Sequence, residues 1–418
     1  MFFRVHEYCT IWTMNNDELL DSMEKERFDL AVVDGPFKFK CIYLIPHRLH
    51  VPWITYNDIL DPLIARVPWL PSFVPNEFLS YTETMSFSQR LVNFATMFVF
   101  SLVVPFAAFN LPPEVIDKYQ QYGSFSSCNE LISRSVLWLL TKDSILDYPR
   151  PMMSNIIDVG GLTVKPATGK LPRDIKEFIE GAKNGLVLVT FGSTVFSFPA
   201  IIVEKFLSAF RRLDGYRVIW KMRNTDELNI SDNVMTSQWL PQNEILAHPS
   251  VKLFITHCGN NGQFEAVYHG VPMIGFPVVL SNDQPYNAKR LDHKGYGLSM
   301  DLHDFTADQL LDNIHKIIGD KSYKERIMKA SEIFRNRVQS PVERATFWIE
   351  HVCRFGGDHL RSAGNDLPLY SYLMLDVLAF ILVALHALVF LLFILVRLVL
   401  RKCCRQRKLT ADVTKKHN

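Results

Sequence analysis

One stretch of the chain, residues 254–265, reads FITHCGNNGQFE. An apolar run ends at His257, and Gly259 and Gly262 open a segment of helical composition. A strand that turns directly into a helix leaves the first helical amides unpaired at the positive end of the helix dipole. Glycines at such a turn let a phosphate approach the backbone closely. The stretch therefore predicts a parallel α/β fold with a diphosphate site at the strand-to-helix turn.

The residues around this stretch alternate between strand and helix. Apolar runs predict strands over 186–191, 216–222, 251–256 and 273–276. Helical spacing of apolar residues predicts helices over 199–213, 262–269, 307–318 and 323–338. This alternation indicates a doubly wound parallel sheet, which binds ligands in the loops past the carboxyl ends of its strands.

Side chains suited to a nucleotide-linked sugar flank the turn. His257 can donate to a phosphate oxygen, and Trp239 offers a flat face for a base. Glu265 lies one turn into the helix, where it can accept from ribose hydroxyls, and Asp283 and Gln284 suit the hydroxyls of a sugar. A single histidine or glycine-rich turn is usually structural, so the interpretation depends on the ordered set.

The N-terminal part, residues 1–153, is typical of a further α/β domain. Residues 28–34 form an apolar run ending in Asp34, which predicts a buried parallel strand. Prolines between Pro46 and Pro75 predict a loop-rich region. The apolar residues 91–109 either contact a membrane or form a buried or surface-lying helix. The helix is favoured, because a second membrane span would reverse the topology of what precedes it.

The C-terminal part predicts a membrane anchor. Residues 373–400 are almost wholly apolar and long enough to cross a bilayer as a helix. Basic residues follow them, so we expect the C-terminus in the cytosol and the catalytic part in the lumen. Lys415 and Lys416 form a dilysine pattern typical of the endoplasmic reticulum. The predicted segments are a partial domain at 1–153, a second domain at 154–355, a juxtamembrane linker at 356–372, a transmembrane helix at 373–400 and a basic cytosolic tail at 401–418.

The composition disfavours several classes of protein. The formal net charge of +2 gives no reason to expect nucleic-acid binding. The seven cysteines are scattered without a CxxC pair, which disfavours a zinc site or a disulfide framework but leaves a single disulfide open. Asn229-Ile230-Ser231 is the one acceptable N-glycosylation sequon.

The ordered motifs resemble the signature of the UDP-glycosyltransferases, above all the membrane-bound UDP-glucuronosyltransferases. The resemblance implies two Rossmann-like domains of the GT-B type facing across a cleft, the N-terminal one incomplete, plus the C-terminal transmembrane helix. It implies UDP-sugar as a co-substrate, with no metal or other cofactor. The donor-binding residues that it implies are Ser193, Trp239, Gln242, His257, Gly259, Asn261, Gly262, Glu265, Asp283 and Gln284.

The resemblance also implies a reaction. A sugar, glucuronic acid or glucose, passes from UDP to a small lipophilic acceptor with inversion at the anomeric carbon. A histidine of the N-terminal domain, oriented by an aspartate, deprotonates the acceptor, and Asp34 matches that aspartate. The implied partners are UDP-sugar, the acceptor, membrane lipid and further subunits of the same or a related chain.

The catalytic histidine is the main departure from the family pattern. His6 is the one histidine before Asp34, and it lies in no matching context. His47 and His50 follow Asp34 and are poor substitutes. The alternative function is therefore a truncated, non-catalytic member that binds UDP-sugar or associates with intact subunits.

Two smaller departures lie near the donor motif. Cys258 stands where relatives usually carry glycine. The spacing from Pro277 to the sugar-binding pair is longer than usual, so Ser281-Asn282 is an alternative to Asp283-Gln284. We prefer the second pair, because the proline and asparagine that follow it also fit the family.

Overall fold

The computed structural model describes residues 11–12, 15–35, 40–99, 111–193, 195, 197–223, 228–280 and 283–415. The chain divides into two compact units, Met1–Arg361 and Ser362–Asn418. The first unit contains two parallel sheets and the helices that cover them.

The first sheet has four parallel strands in the order β1-β2-β3-β4. The elements of this part are α1 (Asp17–Lys25), β1 (Ala31–Asp34), α2 (Leu44–Arg48), β2 (Trp53–Asn57), α3 (Phe87–Phe98), α4 (Pro113–Gln120), α5 (Cys128–Ser133), β3 (Leu137–Leu140) and β4 (Ile156–Asp158).

The second sheet has six parallel strands in the order β10-β9-β8-β5-β6-β7. Its elements are α6 (Arg173–Glu180), β5 (Gly185–Thr190), α7 (Ala200–Arg211), β6 (Tyr216–Lys221), β7 (Val234–Ser237), α8 (Gln242–Leu246), β8 (Val251–Thr256), α9 (Asn260–His269), β9 (Met273–Gly275), α10 (Gln284–Lys294), β10 (Gly297–Ser299), α11 (Ala307–Gly319) and α12 (Lys321–Arg335). Counted from β5, this is the Rossmann order 3-2-1-4-5-6, whose direction reverses between β5 and β8.

Apolar side chains on both faces of β5 explain why the second sheet is buried between helices. Val187 and Val189 pack into the cluster on one face. Leu186 and Leu188 pack into the cluster on the other. A strand that is apolar at every position is typical of a parallel sheet covered on both sides.

Helix α13 (Pro341–Phe355) returns from the second domain to the first sheet. Its Ala345 and Val352 share a buried cluster with Ile54, Leu139 and Ile157 of that sheet. Strand β4 likewise pairs with β3. Strand β4 and helix α13, which follow residue 153 in sequence, therefore pack with the first sheet.

Two predictions for the first domain need correction. Strand β1 is parallel as expected, but it lies at the edge of the described sheet and Val32 is 52% exposed. The proline-rich region, predicted to be rich in loops, also contains β2, whose Ile54 and Thr55 are fully buried. Prolines flank this strand without interrupting it, so they bound a core element.

The apolar stretch predicted at 91–109 begins as a surface helix. Leu91 and Phe94 of α3 are 59% and 47% exposed, which confirms a surface-lying helix for the described part. The Asn93 side chain on the opposite face donates to the carbonyls of Pro71 and Val74, which holds the helix to the domain. Residues 100–110 lie outside the described residues.

The second unit consists of α14 (Leu369–Tyr372) and the long helix α15 (Leu375–Lys415). The segment Leu375–Lys402 is long and apolar enough to cross a membrane. It begins and ends two residues later than the predicted segment 373–400. The first part of the predicted linker 356–372, through Arg361, groups with the first unit. Lys416 lies outside the described residues.

The sequence left open whether the chain has a disulfide, and the structure has one that involves Cys41. Cys41 is disulfide-bonded, whereas Cys128, Cys258 and Cys353 are free. Among the described residues no group of three or more histidine, cysteine or acidic side chains could hold a metal ion.

Candidate functional site

A cavity of about 1320 Å³ opens between the carboxyl ends of the two sheets. It lies beside β5 and β8, where the strand order of the second sheet reverses, and parallel sheets bind ligands at such a reversal. Its lining includes every residue predicted for the site: Asp34, Ser193, Trp239, Gln242, His257, Gly259, Asn261, Gly262, Glu265, Asp283 and Gln284. The alternative pair Ser281-Asn282 and the weak candidate His6 lie outside the described residues.

Two glycines make room for the His257 ring just past β8. A Cβ at Gly192 would lie 2.8 Å from the ring, and a Cβ at Gly259 would lie 2.3 Å from its Nε2. Gly192 also has a φ of +85°, which favours glycine. Gly259 caps α9 without a side-chain hydrogen bond, so the first amides of the helix remain open to a ligand.

The His257 imidazole is neutral at pH 7. Burial, followed by the charge of Lys221, lowers its pKa to about 4. Its Nδ1 is buried and has no hydrogen-bond partner among the described residues. A neutral imidazole has one N–H donor, so the ring can stabilise an anion by a hydrogen bond without itself carrying charge.

Gln242 holds Glu265 in position. Thr190 Oγ1 donates to Gln242 Oε1 at 2.5 Å, and Gln242 Nε2 donates to Glu265 Oε2 at 2.6 Å. Burial raises the pKa of Glu265. Both polar atoms of the Gln242 side chain are therefore engaged, and its amide orients the carboxylate that was expected to bind ribose. The part played by Thr190 is visible only once β5 and α8 lie side by side.

Trp239 presents a flat apolar face to the cleft. Its side chain is 73% exposed, and Lys221 Nζ lies 4.8 Å from the centre of the ring. The same nitrogen donates to the carbonyl of Gly192 at 2.9 Å. Lys221 was missed from the sequence, although a lysine that ends the apolar strand β6 was the available signal.

Asp283 and Gln284 begin α10 at the other end of the cleft. Asn287 Nδ2 donates to Asp283 Oδ2 at 2.5 Å. Asp58 of the first domain also lines the cavity. Burial, followed by the charge of Asp283, raises the pKa of Asp58 to about 6. Asp58 and Asp283 line the same cavity from different domains, and sequence reasoning missed Asp58 for that reason.

Asp34 ends β1 on the first-domain side of the cavity. It pairs in register with Tyr56 of β2, two residues before Asp58. Its side chain is exposed and lines the cavity. His47 is held elsewhere by the carbonyl of Gly123 and the ring of Phe125.

A buried network of charged and polar side chains joins the N-terminus of α9 to the first domain. Arg290 of α10 is 1% exposed. It donates to Asp147 at 2.6 Å, to Asn260 at 2.6 Å and to Gln263 at 2.9 Å. Asn260, the first residue of α9, also donates to the carbonyl of Thr141 at 2.7 Å. The N-terminus of α9 is thus hydrogen-bonded to residues of both domains.

Comparisons with known proteins agree with this architecture. A family model for UDP-glucoronosyl and UDP-glucosyl transferase matches residues 2–410. The UDP-glucuronosyltransferase 2C1 of Oryctolagus cuniculus is 34% identical over 94% of this chain and 76% of its own length. The 2-hydroxyacylsphingosine 1-beta-galactosyltransferase of Rattus norvegicus is 33% identical over 93% of this chain and 71% of its own.

The fold also matches a solved glycosyltransferase structure. The spinosyn forosaminyltransferase SpnP superposes with a TM-score of 0.57 at 22% identity, over 81% of this chain and 79% of that one. The two facing parallel sheets are those of a GT-B glycosyltransferase. Together with the family match over nearly the whole sequence, they establish that this chain belongs to the UDP-glucuronosyl and UDP-glucosyl transferase family.

Proposed function

We propose that the protein transfers a sugar from a UDP-sugar to a small lipophilic acceptor, with inversion at the anomeric carbon and without a metal ion. The observation that supports this most is the convergence of all the predicted donor residues, together with Asp34, on one cavity at the strand-order reversal. The relatives include both glucuronosyl and galactosyl transferases, so the family alone leaves the sugar open.

The donor would lie along the second domain. The uracil ring would stack on Trp239, and the ribose hydroxyls would donate to Glu265, which Gln242 holds. The diphosphate would accept from the open amides at the start of α9, beside Ser193 and His257. As the bond to the sugar breaks, negative charge grows on the diphosphate, and these preorganised donors would stabilise it.

The acceptor would approach from the first domain. Its hydroxyl would lose a proton to a base and attack the anomeric carbon from the side opposite the leaving UDP, which inverts the configuration. In the family mechanism the base is a histidine that an aspartate orients, and Asp34 is the proposed aspartate. Of the described histidines, His257 alone lines the cavity. The alternative proposal stays a non-catalytic member that binds UDP-sugar or associates with intact subunits.

Replacing Asp34 with asparagine tests the proposed reaction. We expect Asp34→Asn to lower sugar transfer at least about 100-fold while UDP affinity stays unchanged. General base catalysis typically contributes about 10²–10⁴-fold, and it depends on the base that Asp34 is proposed to orient. The measurement is UDP release from a UDP-sugar by the full chain in microsomes, with UDP binding assayed separately. Turnover that survives the substitution would exclude the family mechanism, and wild-type binding without turnover would favour the non-catalytic alternative.

We further propose a single-pass protein of the endoplasmic reticulum membrane, with the first unit in the lumen and the C-terminus in the cytosol. The apolar residues of α15 support the anchor. The Cys41 disulfide supports an oxidising compartment, since disulfides are rare in the cytosol.

The sequon at Asn229 gives a direct test of this topology. Asn229 is exposed, so lumenal exposure should lead to its glycosylation. We expect an endoglycosidase-sensitive gel shift for the full chain in mammalian cells and none for Asn229→Gln. A wild-type chain that lacks the shift, and is digested by protease added to intact microsomes, would place the first unit in the cytosol.

A further inference from the structure

A pair of histidines lies at the end of α13, away from the cleft. His351 Nε2 and His359 Nε2 are 2.9 Å apart, and the planes of the two rings are inclined by 61°. Neither histidine is among the residues that line the cavity. The pair is therefore separate from the proposed donor and acceptor sites, and the proposed reaction does not use it.

Two glycines bring these histidines together. Gly356 caps α13 with a φ of +72°, which favours glycine. Gly357 then lies so close to Val136 that a Cβ would be 2.6 Å from the Cβ of that valine. A short 3₁₀ helix follows and carries His359 back to His351. The position of the pair is thus determined by the backbone.

Aromatic side chains hold the ring of His351. The centres of the Phe347, Trp348 and Phe355 rings lie 5.9, 5.4 and 5.1 Å from its centre. A side chain that is held in place before a ligand binds loses little conformational entropy on binding. The surroundings of this imidazole therefore favour its use as a ligand.

A single hydrogen bond satisfies the two rings when nothing else is bound. A neutral imidazole carries one proton, on either of its nitrogens, so the Nε2 of one ring donates to the Nε2 of the other. Once the donating ring moves its proton to Nδ1, both Nε2 atoms are acceptors and no net proton is lost. His351 is half-buried and His359 is exposed, so an ion from solvent can reach them.

The spacing of the two nitrogens suits one metal ion. Imidazole nitrogens bind metal ions at about 2.0–2.1 Å, so two of them at a right angle lie about 3 Å apart. The separation of 2.9 Å matches neighbouring positions of the square-planar or tetragonal coordination typical of Cu²⁺ and Ni²⁺. Mg²⁺ and Ca²⁺ prefer oxygen ligands. Water would complete the coordination, because no third histidine, cysteine or acidic ligand joins the pair among the described residues.

We propose that His351 and His359 form a two-ligand site for a divalent transition metal ion, chiefly Cu²⁺ or Ni²⁺. The site goes beyond the proposed sugar transfer, because it requires neither the donor nor the acceptor. An ion bound there links α13 to the turn that follows it. It thereby stabilises the end of the helix whose Val352 packs on the first sheet, since a ligand that binds only the folded chain raises its stability.

Calorimetric titration of the full chain with Ni²⁺ tests this site. The chain is purified without a polyhistidine tag and placed in lipid nanodiscs. We expect a wild-type Ni²⁺ site that His351→Gln and His359→Gln each weaken at least about tenfold, since loss of a group that merely supports a metal ligand already costs about 10–100-fold. Mg²⁺ should not compete for the site.

Three further measurements separate this pair from other sites. His315→Gln removes an exposed histidine from α11 and should bind Ni²⁺ as wild type does. Trp348→Phe should keep the site but lose part of the fluorescence quenching by Ni²⁺, because the Trp348 ring lies 5.4 Å from that of His351. Ni²⁺ should raise the midpoint of thermal unfolding of wild type and His315→Gln, but not that of His359→Gln.

Two results would overturn the proposal. Wild type that binds no Ni²⁺ would leave the pair with its hydrogen bond alone. So would His359→Gln that binds Ni²⁺ as tightly as wild type. His359 is exposed, so this variant decides the question even if His351→Gln does not fold. UDP binding, measured separately, tests the proposed function, so a failure of one proposal is distinct from a failure of the other.

Discussion

The full chain carrying Arg290→Met should have a free energy of unfolding about 3–5 kcal/mol below that of wild type, as expected when one partner of a buried ion pair is removed. Arg290 is 1% exposed and donates to Asp147, Asn260 and Gln263. Methionine fills a similar volume but leaves Asp147 buried, with Lys142 at 3.5 Å as its remaining close cation. The measurement is the urea midpoint of the detergent-solubilised chain, followed by tryptophan fluorescence.

Arg212→Met provides the matched control. Arg212 pairs with Asp308 on the surface, where the two side chains are 51% and 76% exposed. Exposed pairs contribute about 0–1 kcal/mol, so this variant should unfold close to wild type. If both variants shifted the midpoint equally, burial of Arg290 would not be the reason for its effect.

Replacing His257 with alanine should weaken UDP binding about 10- to 100-fold, since a hydrogen bond to a charged group contributes roughly 1.5–3 kcal/mol. If wild type binds UDP with modest affinity, binding of UDP by His257→Ala falls below detection. The ring lies between Gly192 and Gly259 at the start of α9. Calorimetric titration of the full chain with UDP measures the effect.

Two variants make the result interpretable. His315→Ala removes an exposed histidine from α11 and should bind UDP as wild type does. His257→Gln restores an N–H donor in the same space and should recover part of the lost affinity. Unchanged UDP binding by His257→Ala would remove this side chain from the site.

The second domain and the grouping of its candidate donor residues were predictable because their signals are local. The strand at 251–256 has the predicted bounds, and the turn to α9 follows within four residues. Short apolar runs next to glycines specify such a unit without reference to the rest of the chain. The residues predicted for the site in this domain, from Ser193 to Gln284, accordingly line one cavity.

The features that sequence reasoning missed depend on contacts between distant segments. Asp58 directly follows β2, and Thr190 is the last residue of β5. Nothing local marks either residue until the fold places Asp58 in one cavity with Asp283 and Thr190 beside Gln242. The same holds for β4 and α13, which lie with the second domain in sequence and with the first sheet in space. No periodicity within either segment indicates which sheet its apolar face will cover.

The departure at Cys258 has a conformational explanation. Its φ is +64°, in the left-handed region where a non-glycine residue costs about 1–2 kcal/mol. Glycine would meet this requirement without strain. Cys258 keeps this left-handed conformation. Its carbonyl accepts from the Asn287 side chain at 3.0 Å, which joins the turn between β8 and α9 to α10.

The return of α13 to the first sheet governs the order in which the protein can be completed during synthesis. All the described strands of that sheet have been translated once Asp158 is added to the chain. The partners of Ile54 and Leu139 on α13 are translated only after the entire second domain. Until then one apolar face of the first domain stays in water, where nascent chains aggregate or recruit chaperones. A stop codon just before Pro341 would therefore be expected to yield a chain with all its described strands but an unfinished first domain, a substrate for quality control.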